Sequence, residues 1–437
     1  PLAGGAPRDF LDNVTDADWT DNSNLAVIRV DGTKSRVEFP IGNVVFEAEG
    51  RRPPICLRVS PKGDGLTFLH FDSEIGDYMV VYIPKGGTAR ILSRGWRGVG
   101  RLAWSADGSE IWYVAAVPGG APALRAITPS GRERIVAHTP GWLVMNDIAR
   151  DGRVLATQVN SRIAMFYGRI DGKDTDRDLS WLDTSAIYDI SADGKNLLFQ
   201  ELSYGEGRNP AIYLRKTDGS PAVHLGSCSR PALSPDGKWV VCIHAEGKAS
   251  SLMLLPVGAG ESRELPNPGF RYEQAEWLPD GKRVLFTGTQ NSGPPRTFEQ
   301  AIEKGDPKPV TPPGMTARRV SPDGNSALSI HDGGLFLYRL DNGSSQRIGG
   351  PVEPGESAVR WAADGRSLFT MVPKGGTTFD VYRIELPTGR KTLWKELKPA
   401  DPVGVTMFSM VVAPDGAAYA YSYQRDMADL YLISGLR

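Results

Sequence analysis

The chain is poor in the residues from which reactive sites are usually built. Its 437 residues hold three cysteines and five histidines. Cys56, Cys228 and Cys242 are too few for a disulfide framework or a paired-cysteine zinc module. Cys228 and Cys242 flank one expected hairpin, so a single bridge stays open there, with two buried free thiols as the expectation. His70, His138, His224, His244 and His331 are scattered over separate segments with no His-Glu-x-x-His or His-x-His pairing. His224 and His244 share one repeat, but no carboxylate motif accompanies them. No metal or other cofactor is therefore expected. Gly-x-Ser-x-Gly elbows, P-loops and EF-hand loops are all missing. No apolar run approaches the ~18 residues that a membrane span needs. A surplus of charge is missing as well: 50 basic residues face 51 acidic ones, for a formal net charge of -1. That balance supplies no drive toward nucleic acid or an anionic membrane. The first residues, Pro-Leu-Ala-Gly-Gly-Ala-Pro-Arg, include neither a starting Met nor an apolar signal segment, so the chain reads as one already in progress.

What is plentiful is turn chemistry, with 50 Gly and 33 Pro. One phrase recurs along the whole chain: an apolar opener, a small or polar residue, Pro or Ala, Asp, Gly, then an apolar strand. It reads Trp104-Ser-Ala-Asp-Gly108, Ile190-Ser-Ala-Asp-Gly194, Leu233-Ser-Pro-Asp-Gly237, Trp277-Leu-Pro-Asp-Gly281, Val320-Ser-Pro-Asp-Gly324, Trp361-Ala-Ala-Asp-Gly365 and Val412-Ala-Pro-Asp-Gly416. Weaker copies open at Trp19, Val59 and Ile148. The spacing of about 43 residues matches the ~40–45 of a four-stranded propeller blade.

Each unit has a physical reading. Pro sets φ, Asp bonds its own backbone and Gly accepts φ > 0, so the phrase is a tight turn. Runs such as Trp239-Val-Val-Cys-Ile243 then read as strands. Asp171-Gly172, Asp218-Gly219, Asn342-Gly343 and Thr388-Gly389 mark further hairpins. A single blade has two faces to bury, and radial stacking of blades buries both while protecting edges. The fold expected is all-β: a β-propeller of about ten four-stranded antiparallel blades. Ten exceeds the usual four to eight, which favours two rings, with repeats 1–4 in residues 1–182 and repeats 5–10 in residues 183–437. A single ten-bladed ring is the alternative. Residues 4–11 read as a fourth strand without its first three, and the last repeat lacks a fourth strand. The N-terminal segment is therefore expected to close the last blade. The column of openers is expected to be inter-blade core.

The phrases resemble the WD40-like (PD40) repeats of the TolB propeller family over the whole chain. A narrower likeness rests on Pro1–Arg8, Leu214–Ala222, Leu393–Asp401 and Asp429–Leu436. These segments are similar to the C-terminal region of bacterial receptor-like serine/threonine protein kinases. That resemblance implies a sensor or interaction module, extracytoplasmic or periplasmic, tethered to a membrane only by a segment outside this chain. The kinase's own Gly-x-Gly-x-x-Gly, His-Arg-Asp and Asp-Phe-Gly motifs are missing here, so no catalytic residue is carried over.

One column of charge stands out. The residue before each opener is Asp18, Arg58, Ala103, Asp147, Asp189, Ala232, Glu276, Arg319, Arg360 or Val411. Because side chains alternate along a strand, these face away from the buried openers, toward a channel lined by the first strands. Asp18, Arg58, Asp147, Asp189, Glu276, Arg319 and Arg360 are the candidate channel-lining residues. Arg–carboxylate pairing between adjacent blades is the expectation, with a polar ligand or ion in the channel as the sharper alternative. Trp96, Trp142, Tyr188 and Tyr272 are candidates for a recognition face, weighed against plain core packing. The function expected is non-catalytic binding of a protein partner or small polar ligand. A free periplasmic TolB-like scaffold and a channel-site lyase or hydrolase are the alternatives.

Overall fold

A computed structural model describes residues 10–436 except 20–23, 51, 73–75, 97, 118–119, 140, 172–175, 203–208, 247–248, 291–292, 304, 332–333, 351 and 387. Among the described residues there is no helix, and the strands form nine antiparallel sheets, seven of them four-stranded. One of the nine serves two repeats, which reconciles nine sheets with ten turn phrases. The turns form as their chemistry requires. Gly108, Gly194, Gly237, Gly281, Gly324, Gly365 and Gly416 all hold φ between 62° and 73°, a region that a Cβ would strain.

The serine of the phrase does more than its size implied. Ser234 Oγ donates to Asp236 Oδ1 at 2.6 Å and accepts from the backbone of Lys238 and Trp239 at 3.1 and 2.9 Å. Ser105, Ser191 and Ser321 repeat the arrangement. These bonds favour the ionised Asp. At Asp107 the hydroxyls of Ser105 and Ser109 draw the carboxyl pKa down to about 2. An unfolded Asp titrates near ~3.9, so this carboxylate stabilises the fold above pH ~4 and loses that contribution as the pH falls toward 2. Denaturant melts of wild type and Asp107→Asn should accordingly differ at pH 5, wild type being the more stable, and converge on acidification. A gap that widens below pH 4 would contradict this.

The chain divides into two compact units, one of residues 1–160 with 427–437 and the other of residues 161–426. It passes between them within two strands of sixteen residues, Val154–Arg169 and Ala418–Ile433. The division expected near Leu182 therefore falls earlier, because residues 161–169 act as the third strand of the tenth blade. That blade runs Val405–Val412, the first part of Ala418–Ile433, the second part of Val154–Arg169, and Arg177–Asp178. Ile170 N donates to Ala417 O at 3.0 Å. The Phe166 ring stacks on both Tyr421 and Tyr423 with centroids 5.3 Å apart, a pairing worth about 0.5–1.5 kcal/mol per contact beyond burial. Of the segment expected to close the last blade, residues 4–9 lie outside the described residues, and Phe10 is exposed.

In the unit of residues 161–426 the first strands of six blades touch in cyclic order. They begin at Ser185, Ser229, Phe270, Arg318, Ser357 and Val405, and the sixth returns to the first. In the other unit the first strands that begin at Val14, Ile55, Ala103 and Trp142 contact in a row.

The opener column is largely inter-blade core. Trp104, Trp277, Trp361, Val59, Ile190 and Val412 are buried. Trp19 is the correction, with 74% of its surface exposed: no blade precedes it among the described residues to cover it. The indoles also bond across blades, donating from Nε1 to the carbonyl of the column residue one blade earlier. Trp104 reaches Arg58 O at 3.3 Å, Trp277 reaches Ala232 O at 3.1 Å and Trp361 reaches Arg319 O at 2.6 Å. The second correction concerns the cysteines. Cys228 and Cys242 form a disulfide with Cα atoms 5.9 Å apart, and Cys56 is the free cysteine. The two cysteines lie at the start and on the neighbouring strand of one blade, facing each other within a shared apolar cluster.

Candidate functional site

Among the described residues, nine of the ten first strands shift register against the next strand, as at a β-bulge. A bulge inserts one residue, bends the strand and re-aims its side chains. In the six-blade unit these strands line a cavity of about 610 Å³. Every blade contributes to it, from Tyr188–Ala192 in one to Val411–Pro414 in another. Here the structure brings together Asp189, Glu276, Arg319 and Arg360, four of the sequence-derived candidates, and adds Arg230 and Arg318. Asp18, Arg58 and Asp147 belong to the other unit.

Three of the four acidic members of the column, Asp18, Asp189 and Glu276, share one role: each caps the first strand of the next blade. Asp189 Oδ2 accepts from Leu233 N at 3.0 Å, and Glu276 Oε1 accepts from Arg319 N at 2.6 Å. In the other unit Asp18 Oδ2 accepts from Val59 N at 2.7 Å, assisted by Asp16 Oδ2 on Leu57 N at 2.9 Å. Such charge-assisted bonds are about twice as strong as neutral ones. Asp147 caps locally, accepting from Ile148 N at 2.8 Å. Burial raises the pKa of Asp18 and of Glu276. At Glu276 the Arg319 charge and backbone oppose that rise.

Arg–carboxylate pairing takes a different form from the adjacent-blade expectation. Arg360 Nη1 lies 3.2 Å from Asp189 Oδ1, two blades away, and also donates to Ile190 O at 3.0 Å and Val412 O at 3.3 Å. The intervening blade carries Val411 in the column, and its short apolar side chain lets the guanidinium reach past. Asp189 thus serves Arg360, Leu233 N and its neighbour Ile190 N together. Replacing it with alanine strips acceptors from half-buried donors, and a loss of about 1–3 kcal/mol is expected in urea melts. Glu303→Ala, an exposed carboxylate outside the turn phrases, should leave the urea melt nearly unchanged. Equal effects at both positions would refute the capping role.

Arg230, Arg318 and Arg319 differ from Arg360. Their guanidinium groups make no hydrogen bond or ion pair within the described residues. Arg230 and Arg319 sit at bulges with φ of 55° and 58°, left-handed conformations that cost a non-glycine residue about 1–3 kcal/mol. The Arg319 side chain stays open to channel water while protein surrounds it, and that loss of bulk solvent lowers its pKa; Glu276 and Asp189 act in the opposite direction. Sequence reading missed Arg230 and Arg318 because they stand outside the column adjacent to the openers, where the bulge brings them in.

The aromatic candidates divide. Trp96 and Tyr272 are buried in the core, and the Arg125 guanidinium covers Trp96 at 4.6 Å from the ring centroid. Tyr188 is half-buried and lines the channel, while Trp142 is half-buried. Of the histidines with described side chains, His70 packs against Phe46 and His138 is exposed. His224, against Tyr213, and His244, whose Nδ1 lies 3.3 Å from Ser227 O, stand on neighbouring blades rather than in one repeat and line a common cavity with no carboxylate in its wall. No group of three metal-ligating side chains occurs among the described residues.

No family model matches the chain. Over 140 residues, 31% of this chain, it is 29% identical to the protein named "Uncharacterized peptidase YuxL" of Bacillus subtilis (strain 168), and the match spans 21% of that protein. Among solved structures, a TolB described as putative from Agrobacterium tumefaciens is 18% identical with a TM-score of 0.44, covering 61% of this chain and 99% of that one. TolB from Acinetobacter baumannii is 12% identical with a TM-score of 0.39, covering 82% and 78%. An oligogalacturonate lyase from Vibrio parahaemolyticus is 13% identical with a TM-score of 0.35, covering 83% and 97%. Four-stranded antiparallel blades in cyclic order make this chain an all-β propeller protein, and its neighbours among solved structures are TolB-like and related propellers.

Proposed function

We propose that the chain is a non-catalytic binding propeller, the ligand- or partner-binding region of a bacterial receptor-like serine/threonine kinase. The observation that carries this reading is the state of the channel carboxylates. Asp189 and Glu276 are both engaged with backbone N–H groups of the next blade, so neither stands free as a nucleophile or general base, whereas the guanidinium groups of Arg230, Arg318 and Arg319 have no hydrogen-bonding partner among the described residues. Such a wall recognises; it does not transform. The Cys228–Cys242 bridge supports an extracytoplasmic setting, because disulfides persist in oxidising compartments. The kinase attachment rests on the sequence likenesses alone. Its test is the open reading frame upstream: a kinase domain and a membrane span are expected there, and a frame without them would leave a TolB-like scaffold instead.

The stretch resembling YuxL favours one second reading, a propeller that filters substrates for a hydrolase. A hydrolase domain in the rest of the open reading frame would favour the filter, and the purified chain itself is expected to show no turnover of peptide, ester or glycan substrates. Turnover above that of the heat-inactivated protein would refute the non-catalytic reading.

A further inference from the structure

Resting on that binding reading, we propose that the channel of the six-blade unit is a site for a small dianion, held by the guanidinium groups of Arg230, Arg318 and Arg319. Three observations converge. The cavity of about 610 Å³ is of a size that takes a small molecule. Its charged lining comprises Arg230, Arg318, Arg319 and Arg360 against Asp189 and Glu276, four positive charges to two negative, a surplus of two. Both carboxylates and Arg360 are already engaged with one another or with backbone groups. The surplus therefore resides on the guanidinium groups of Arg230, Arg318 and Arg319, which have no hydrogen-bonding partner among the described residues.

The backbone gives the third observation. Only four non-glycine residues among those described hold a left-handed φ, namely Asn13, Cys56, Arg230 and Arg319, and two of the four are arginines of this channel. Glycine would adopt that conformation without strain. Backbone bonds to Glu276 and Trp361 hold the Arg319 position, but neither guanidinium group has a hydrogen bond or ion pair among the described residues, so arginine in place of glycine there points to a role outside the fold. A guanidinium presents a planar fork that matches carboxylate and phosphate oxygens, and those oxyanions define the ligand class. Asp189 and Glu276 at the same wall repel further negative charge, which favours a ligand of two charges over a polyanion.

Titration calorimetry at low ionic strength and neutral pH tests this with malonate, succinate, inorganic phosphate and methyl phosphate as probes. The first two report a carboxylate ligand and the last two a phosphate. Saturable one-to-one binding of at least one probe is expected, weakened tenfold or more in both Arg230→Gly and Arg319→Gly. Because glycine relieves the left-handed backbone, both variants should melt at or above the wild-type temperature, which separates lost binding from lost folding. Arg271→Gln, an exposed arginine elsewhere in the same unit, should bind as wild type does. The proposal falls if no probe binds at millimolar concentration, if the glycine variants bind as tightly as wild type, or if Arg271→Gln loses as much. Any of these would leave the non-catalytic reading standing, since that is decided by turnover assays.

Discussion

Trp277→Ala is expected to destabilise the protein by about 3–5 kcal/mol in denaturant melts. The Trp277 side chain is 7% exposed and packs in a cluster with Tyr272, Ala275, Val284 and Phe286 of its own blade and Val241, Ile243 and Leu254 of the one before. Its truncation opens a cavity between blades and also leaves Ala232 O without the indole donor at 3.1 Å. Trp19→Ala is the internal control: the same opener position, but 74% exposed, where a change within about 0.5 kcal/mol is expected. A loss below about 1 kcal/mol at Trp277 would show that the opener column does not hold neighbouring blades together.

Removing the Cys228–Cys242 bridge should cost about 3 kcal/mol, the chain-entropy value for a closed loop of about this length. The separation is 14 residues, and both side chains are fully buried beside Leu198, Ile212, Val240 and Leu255. Replacing both cysteines with alanine, rather than with serine, keeps the site apolar and avoids burying unpaired hydroxyls. Two readings check the assignment. The double variant should melt earlier by the stated amount, and thiol titration of the unfolded, unreduced wild type should count one thiol, Cys56. Three thiols in that titration would overturn the bridge.

The turn phrase made the architecture readable, because the chemistry of Asp and Gly at a tight turn is local and repeats with every blade. The opener column was readable for the same reason: apolar residues before the turn have few alternatives to the space between sheets. Three features escaped. Bulges carry no composition signal, and Arg230 and Arg319 adopt left-handed backbones that nothing in their side chains requires. The bonds from Asp189 and Glu276 to the next blade's backbone join residues more than forty positions apart and depend on how closely blades approach. The exchange of strand halves between units did leave a trace. Val154–Tyr167 and Ala418–Ile433 contain neither Gly nor Pro, in a chain that otherwise turns every few residues. Runs of that length exceed an ordinary strand of about 5–6 residues, and they mark where one strand serves two blades.

The charged column shows the limit of alternation as a guide. Alternation placed Asp189, Glu276 and Arg360 opposite buried openers, and the structure has them on the channel wall. It gave no means of choosing partners, since those depend on the ring's diameter. Arg360 therefore pairs with the Asp189 carboxylate across the blade that carries Val411, and takes only a backbone carbonyl, Val412 O, from that neighbour.

Ring closure within residues 161–426 is what every statement about the channel depends on, and a crystal or cryo-electron-microscopy map of the whole chain tests it most directly. Six blades around one channel are expected, with the strand through Phe166 seated beside Tyr421 and Tyr423 to complete the sixth. A gap between the blades that begin at Ser185 and Val405, or a different number of blades drawn from those residues, would contradict it.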